Sequence, residues 1–439
     1  MGPLRVLRSS RGLGALQHRN YRLYWAGQLV SLIGTHMQRA AQAWLVLTIT
    51  DDPFALGLVV AAQWGPVLLF GLFGGIVADA LSKRRTLIAT QAISMTLAFS
   101  LAVLAATGTA EVWHVLVMAT LLGFTSVVDL PTRQSFIYEM VGREDVVSAV
   151  ALYSAIVNIA KVVGPAVAGL TIGAFSVAFA FAFNGFSFLA VIVGLLAMRP
   201  SELQPIGLTA LPRSLRAVFA NLGEGLRYVL RTHHVLLTLA IVALVSTAGM
   251  NFQVLIAPLA RDVLGVGAEG FGFLMAASGL GAVVSALIVA ALGRPRVAYI
   301  VIAALALGVL EIGLSLSRSF PLSMACMFII GLSSVAITMN TNTLIQMVVP
   351  DHLRGRVMAV YVTVNAGTTP VGGLIFGVIA GAAGVAEAIL IGGVSVTVIA
   401  VGAWVIAWRW GLFADVPTAS EPDGRHADGL PSVPDPSNP

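Results

Sequence analysis

The chain has 439 residues, 58% of them hydrophobic and only 10% charged, with one cysteine and a formal net charge of +5. A water-soluble core of this length would leave large apolar patches exposed, so the composition excludes a soluble globular protein and places the chain in a lipid bilayer. The positive balance reads as membrane topology and contact with anionic lipid, with nucleic acid excluded as a partner.

A helix crossing a bilayer needs about 20 apolar residues. Twelve such runs are predicted, at 21–49, 54–78, 86–106, 112–141, 146–174 and 177–198, then at 235–258, 270–292, 297–316, 322–349, 357–382 and 386–410. A β-barrel would show alternating segments of about ten residues, and these runs are longer and apolar on all sides. The expected class is therefore an all-α membrane protein with twelve transmembrane helices.

Span 1 follows Arg5, Arg8, Arg11 and Arg19, and carries His36 and Arg39 in its interior. Spans 2 and 3 are joined by GIVADALSKRR, residues 75–85, which sets Gly75 and Asp79 before the basic cluster Lys83, Arg84 and Arg85. An acid at the C-terminal end of a helix opposes the helix dipole and needs a partner, for which Arg84, Arg85 or the start of span 11 are candidates. Span 4 holds Asp129 and Arg133, four apart in the favourable order, with Pro131 between them and Glu139 at its end as a second partner for the basic cluster. Span 5 holds Lys161 and the glycines of GPAVAG, Gly164 and Gly169 flanking Pro165 and its neighbours. Small residues spaced in this way let helices approach closely where lipid supplies no hydrophobic driving force.

Residues 199–234 are more polar and contain Pro200, Pro205 and Pro212, which marks a linker. Its second part, 213–231, gathers Leu215, Val218, Phe219, Leu222, Leu226, Val229 and Leu230 mostly on one face, the pattern of a helix lying on the membrane surface. Span 7 contains Asn251 and span 10 contains Asn340 and Asn342 as polar candidates to meet a substrate or another helix. Glu311 in span 9 is placed close enough to Arg318 to snorkel toward the outer interface. Cys326 reads as a small apolar residue. After Gly411 the composition turns to Pro, Asp and Ser, the signature of a disordered tail.

Basic residues collect in alternate connections, and only Arg261 and Arg318 stand opposite, so both termini are expected in the cytoplasm. The two halves also repeat each other. A shift of 208 aligns Tyr153, Gly164, Gly169 and Gly173 with Tyr361, Gly372, Gly377 and Gly381, and a shift of 215 aligns Gly57, Ala61 and Ala62 with Gly272, Ala276 and Ala277. The expected organisation is an N-terminal six-helix half (1–198), a cytoplasmic linker (199–234), a C-terminal six-helix half (235–410) and a tail (411–439), with a binding site between the halves.

The twelve spans in two repeats, the 75–85 hinge and GPAVAG together resemble the major facilitator superfamily. The opening HRNYRLYWAGQLVSLIGTHMQRAAQAWLVL and the later PTRQSF are most similar to its branch of enterobactin exporters and transmembrane secretion effectors. The resemblance places Gly75, Asp79, Lys83 and Arg84 on the signature between spans 2 and 3, though Ala80 and Ser82 depart from it. It places Gly164, Pro165 and Gly169 on the span-5 signature of exporters. The arginine that many drug/proton antiporters carry early in span 4 is Ala119 here, so any equivalent role falls to Arg39 or Arg133.

Charges inside a membrane each cost roughly 2.5 to 3.5 kcal/mol at a helix centre, so Arg39, Asp129, Arg133 and Lys161 must face one another, water or a polar ligand. Three bases to one acid suit an anionic or acceptor-rich ligand. The expected function is a plasma (inner) membrane exporter of a small organic molecule, a drug-like compound, siderophore or metabolite, working as a monomer by proton antiport. Asp129 is the expected coupling acid. The alternatives are an importer or symporter on the same fold, or a non-transporting membrane protein. No metal cluster, phosphate loop or pairing of nucleophile and base marks an enzyme, and no cofactor is expected.

Overall fold

The computed structural model describes residues 13–204 and 215–413, without the side chains of Leu72, Ile76, Asp79 and 215–221. Among these residues the only regular structure is helical, and ten runs are long and apolar enough to cross a membrane. The helices are α1 (Arg19–Thr50), α2 (Pro53–Ala80) and α3 (Lys83–Ala106). The next run, Val112–Ala174, turns at Gly142, whose φ of 71° and ψ of −173° lie outside the helical region. A side chain there would carry a strained backbone, and its Cβ would meet Gln204 at 2.5 Å. The turn divides the run into α4 (112–141) and α5 (143–174), and α6 is Val177–Leu196. The 32-residue α1 does not belong to the ten apolar runs: Gln28, Gln38, Arg39 and Gln42 stand in its interior.

In the linker, α7 (Leu215–Arg231) forms where the amphipathic pattern predicts it. It lies against the helix that begins at Asp351, where Arg356 meets Glu224 at 2.6 Å. Leu222 and Val229 pack into the core of the second half, whereas Leu226 and Leu230 are exposed. The seventh predicted span, expected to be continuous, is broken. It consists of α8 (His233–Gly249), two residues of non-helical backbone, α9 (Phe252–Pro258) and a π turn, Leu259–Val263. The remaining helices are α10 (Gly267–Leu292), α11 (Val297–Leu316), α12 (Phe320–Val348), α13 (Asp351–Ala383) and α14 (Val385–Arg409). The tail beyond Phe413 and the first arginines of the chain lie outside the described residues.

In the first group, α1 packs on the α4–α5 run and α6, and α3 packs on α6. In the second, α10 packs on α12, α11 on α14, and α8 on α13 and α14. The groups meet mainly along two seams, α2 with α13 and α5 with α10. Both seams are built on glycine. A Cβ at Gly57 would stand 2.4 Å from the Gly373 carbonyl oxygen, and one at Gly272 would stand 2.5 Å from that of Pro165.

These contacts belong to one end of the bundle. Along α2 and α13 they run from Asp52 with Gly381 to Leu68 with Gly367, and along α5 and α10 from Gly173 with Glu269 to Lys161 with Gly279. Farther along, Gly75 has nothing within 4 Å of its Cβ direction, and Val147 of α5 is 78% exposed. The buried core divides in the same way. One cluster joins both groups at the Asp51 end, including Leu47, Leu56, Leu259 and Phe376, while two others, each confined to one group, fill the opposite end, where Ala15 and Leu412 lie. The result is a cleft between the groups, shut at the Asp51 end and open at the other.

The closed end also carries polar cross-links. Arg261 of the π turn donates from Nη1 to the Leu47 carbonyl at 3.0 Å and to Asp51 Oδ1 at 2.6 Å. Asp51 is well exposed, so this pair acts more as a register pin than as a large source of stability.

Candidate functional site

Asp129 is 7% exposed, and its carboxylate is fully engaged. Oδ1 accepts from Thr90 Oγ1 at 2.6 Å and from Gln91 Nε2 at 3.1 Å, both on α3. Oδ2 accepts from Arg133 Nε, one turn along α4, and Arg133 Nη1 donates in turn to Gln28 Oε1 on α1. Three helices are therefore joined by one ion pair. Pro131 between the two residues does not prevent the four-residue spacing from placing them on one face.

Asp129 and Arg133 line a cavity of about 130 Å³ inside the first group, together with Gln38, Arg39, Gln42 and Asn184. Asn184 Nδ2 donates to Gln38 Oε1 at 2.6 Å. Arg39 does not join the Asp129 pair. Its guanidinium stands 5.6 Å from the centre of the Trp64 ring on α2, and its Nε has no partner. Trp64 Nε1, Gln28 Nε2 and Gln42 Nε2 are likewise buried without acceptors. The interior of this group thus holds a surplus of hydrogen-bond donors.

Lys161 of α5 is apart from that cavity. It is exposed, and its carbonyl oxygen would stand 2.8 Å from a Cβ at Gly279, so it sits at the last contact before the cleft widens. His36 and Arg39 of α1 lie near enough to Lys161 to interact electrostatically with it. Three bases thus collect at the closed apex of the cleft.

The asparagines of the second group bond mostly within their own helices, and Asn342 also reaches the Tyr361 hydroxyl on α13. Asn251, at the break before α9, donates to the Thr247 carbonyl, Asn340 donates to the Ala336 carbonyl, and Asn342 accepts from Gln346. Glu311 differs from the expectation of snorkelling. It is 4% exposed, and Arg318 directs its guanidinium to the Ser315 and Ser317 carbonyls instead.

Around the 75–85 hinge, Lys83 Nζ meets Glu139 Oε1 at 2.8 Å, with both side chains largely buried. Arg84 caps the end of α6, donating from Nε to the Leu195 carbonyl at 2.7 Å and from Nη2 to that of Leu196 at 3.1 Å. Arg85 is exposed and Gly75 faces open space, and the side chain of Asp79 is outside the described set. The span-5 glycines face two ways. Gly164 packs on Ile33, His36 and Met37 of α1, while Gly169 and the carbonyl of Pro165 pack on Gly272 of α10. Ala119 is fully buried.

Sequence reasoning missed Gln28, Thr90, Gln91 and Asn184 in the polar network, and Asp51 as the partner of Arg261. The signal for the first set was available: an amide inside a span costs free energy unless bonded, as a charge does. For Asp51 there was none, because 210 residues separate the pair.

Two helical groups enclosing a cleft, with charge buried beside it, define a transporter of the major facilitator superfamily. The chain belongs to that superfamily's transmembrane secretion effector family, whose sequence profile matches residues 10–418. It is 24% identical over 379 residues to the staphyloferrin A transporter of Staphylococcus aureus, covering 85% of this chain and 92% of the relative. It is 29% identical over 364 residues to the multidrug efflux pump Tap of Mycolicibacterium fortuitum, covering 80% and 87%. Its fold matches that of an aspartate-to-alanine mutant of the nucleoside transporter NupG with a TM-score of 0.69 at 14% identity, covering 90% of this chain and 99% of that one. The family consists of transporters, not enzymes.

Proposed function

We propose that the protein exports a small, anionic or acceptor-rich organic molecule across the plasma (inner) membrane by alternating access, in exchange for protons. Supporting the twelve-span, two-repeat arrangement, the Val112–Ala174 run contains two helices, and α1 is long enough to cross despite its polar interior. The internal repeat relates the two seams to each other: α5 corresponds to α13 and α2 to α10, so the α5–α10 seam maps onto the α13–α2 seam. With both termini in the cytoplasm, as the basic loops argue, the cleft opens inward and the Asp51–Arg261 end faces outside.

The observation that carries the reading is the apposition of two sites in the first half. One is the apex of the cleft, where Lys161 stands exposed beside His36 and Arg39 with no acid paired to them among the described residues. The other is the Asp129–Arg133 pair within it, bridged to α1 by Gln28. An anionic substrate would be drawn to the first. Protonation of Asp129 would free Arg133 and Gln28, loosening the joint between α1, α3 and α4 and changing the position of Arg39 on α1. Export rather than import is supported by the similarity to a multidrug efflux pump.

The test is transport in everted vesicles under an imposed proton gradient. The probes are staphyloferrin A, taken from the relative's name, and any compounds that distinguish cells with and without the protein. Asp129→Asn is expected to abolish concentration of substrate against its gradient while retaining substrate binding. Undiminished accumulation by that variant would remove Asp129 as the coupling acid, and uptake in the opposite sense would overturn export.

A further inference from the structure

Glu311 is a buried acid that takes no part in the polar network of the first group. It lies within α11, 4% exposed, and its Oε2 has no hydrogen-bond partner. It faces the point where α8 stops: Gly249 ends that helix, Met250 and Asn251 have non-helical backbone angles, and a Cβ at Gly249 would stand 3.0 Å from Oε2. On the α14 side a Cβ at Gly393 would stand 2.9 Å from the Glu311 Cβ. Glycine on both sides makes room for the carboxyl. A residual space of about 10 Å³ remains, lined by Gly249, Phe252, Ile256, Leu314 and Ile389 among others. That is near the lower limit for one water molecule.

The charged groups of the surrounding elements are directed elsewhere. Arg318, beyond the end of α11, serves the Ser315 and Ser317 carbonyls, and Arg261, beyond α9, is held by Asp51 and Asp262. On α14, Glu387 lies in the first turn and Arg409 in the last. On α8, His233 and His234 are at the opposite end from the break. On α12 the titratable side chain is Cys326. Asn251, at the break itself, is bonded to the Thr247 carbonyl.

We propose that Glu311 is a proton-binding site of the second half, held as the neutral acid in this closed-apex conformation and exchanging its proton with water when the α8–α9 break moves. An unpaired carboxylate in such surroundings is far costlier than the acid, so the group takes up a proton instead of a counter-charge. The break gives the proton a use. Only α9 and the first two residues of the π turn separate it from Arg261, which is bonded to Asp51 across the two halves. A proton on Glu311 favours the packed break and hence the shut end; its loss brings water and motion to the root of that cross-link. The proton site stands without the antiport reading, and only its place in a transport cycle rests on it.

The test is infrared difference spectroscopy of the purified full chain between neutral and alkaline pH. The wild type should show a protonated-carboxyl carbonyl band that disappears as pH rises. The band should be missing from Glu311→Gln and retained in Asp129→Asn. Glu311→Gln has the shape of the neutral acid and should also hold the Asp51 end shut across the pH range over which the wild type opens, read by labelling of Val60→Cys. Should Glu311→Gln fail to assemble, Glu311→Asp supplies the same test through a shift in the band's frequency. A band unchanged in both Glu311 variants, or labelling of Glu311→Gln that follows pH as the wild type does, would overturn the proposal. Loss of the band together with full transport by Asp129→Asn would instead leave Glu311 standing and remove the coupling role of Asp129.

Discussion

The seam between α2 and α13 makes a quantitative prediction for Gly57→Ala. The added Cβ would stand 2.4 Å from the Gly373 carbonyl oxygen and 3.1 Å from its carbon, both backbone atoms that no rotamer change can move. Ordinary contact begins at 3.4 Å, so the helices must separate locally by about 1 Å, the difference between 3.4 and 2.4. Overpacking of this kind costs about 1 to 3 kcal/mol. Because it acts only where the seam is closed, it shifts the closed-to-open equilibrium by roughly 5- to 150-fold. The reporter is Val60→Cys in a Cys326→Ser background, since Val60 is 6% exposed and lies against Gly373 in the same seam. Its reaction with a membrane-impermeant maleimide from the Asp51 side should accelerate by that factor. The control is Gly65→Ala on the same helix, which gains the same helix propensity but meets nothing within 4 Å, and should leave the rate unchanged. Equal labelling of Gly57→Ala and the wild type, with equal amounts of protein in the membrane, would refute the claim that backbone contact at Gly57 holds this end shut.

Two further predictions follow from the hinge and the topology. Lys83→Ala strands Glu139 in a largely buried position, so the loss of stability should fall between the ~1 kcal/mol of an exposed pair and the ~3 to 5 kcal/mol of a buried one. A thermal unfolding midpoint equal to that of the wild type in the same detergent would show the pair to be inconsequential. Reporter fusions after Arg231 and after Asp262 should give cytoplasmic and external signals respectively, and the same signal at both sites would sink the twelve-span topology.

The all-helical membrane class and the positions of most long apolar helices were legible in the chain, because a span must be long and apolar wherever it sits, and that demand acts residue by residue. The turn at Gly142 illustrates the point: α4 and α5 join without a loop, yet the polar interruption around Arg143 and Glu144 was enough to separate two spans. The break of the seventh span was not legible, since the residues of α8 and α9 are as apolar as those of an unbroken helix. The Asp129–Arg133 pair could be anticipated from its spacing, which is a local property of one helix.

By itself the sequence determined the membrane class and the presence of buried charge that had to be satisfied. The tertiary structure decided which charges meet. It gave Arg133 to Asp129 and Gln28, left Arg39 to Trp64, placed Lys161 at the apex of the cleft, and buried Glu311 against Gly249 and Gly393 instead of releasing it to the interface. It also decided that the cleft is shut at the Asp51 end. The physical reason is range: apolar length and helical spacing are fixed within about twenty residues, whereas an ion pair or a glycine seam depends on segments up to some three hundred residues apart being brought to contact distance by packing.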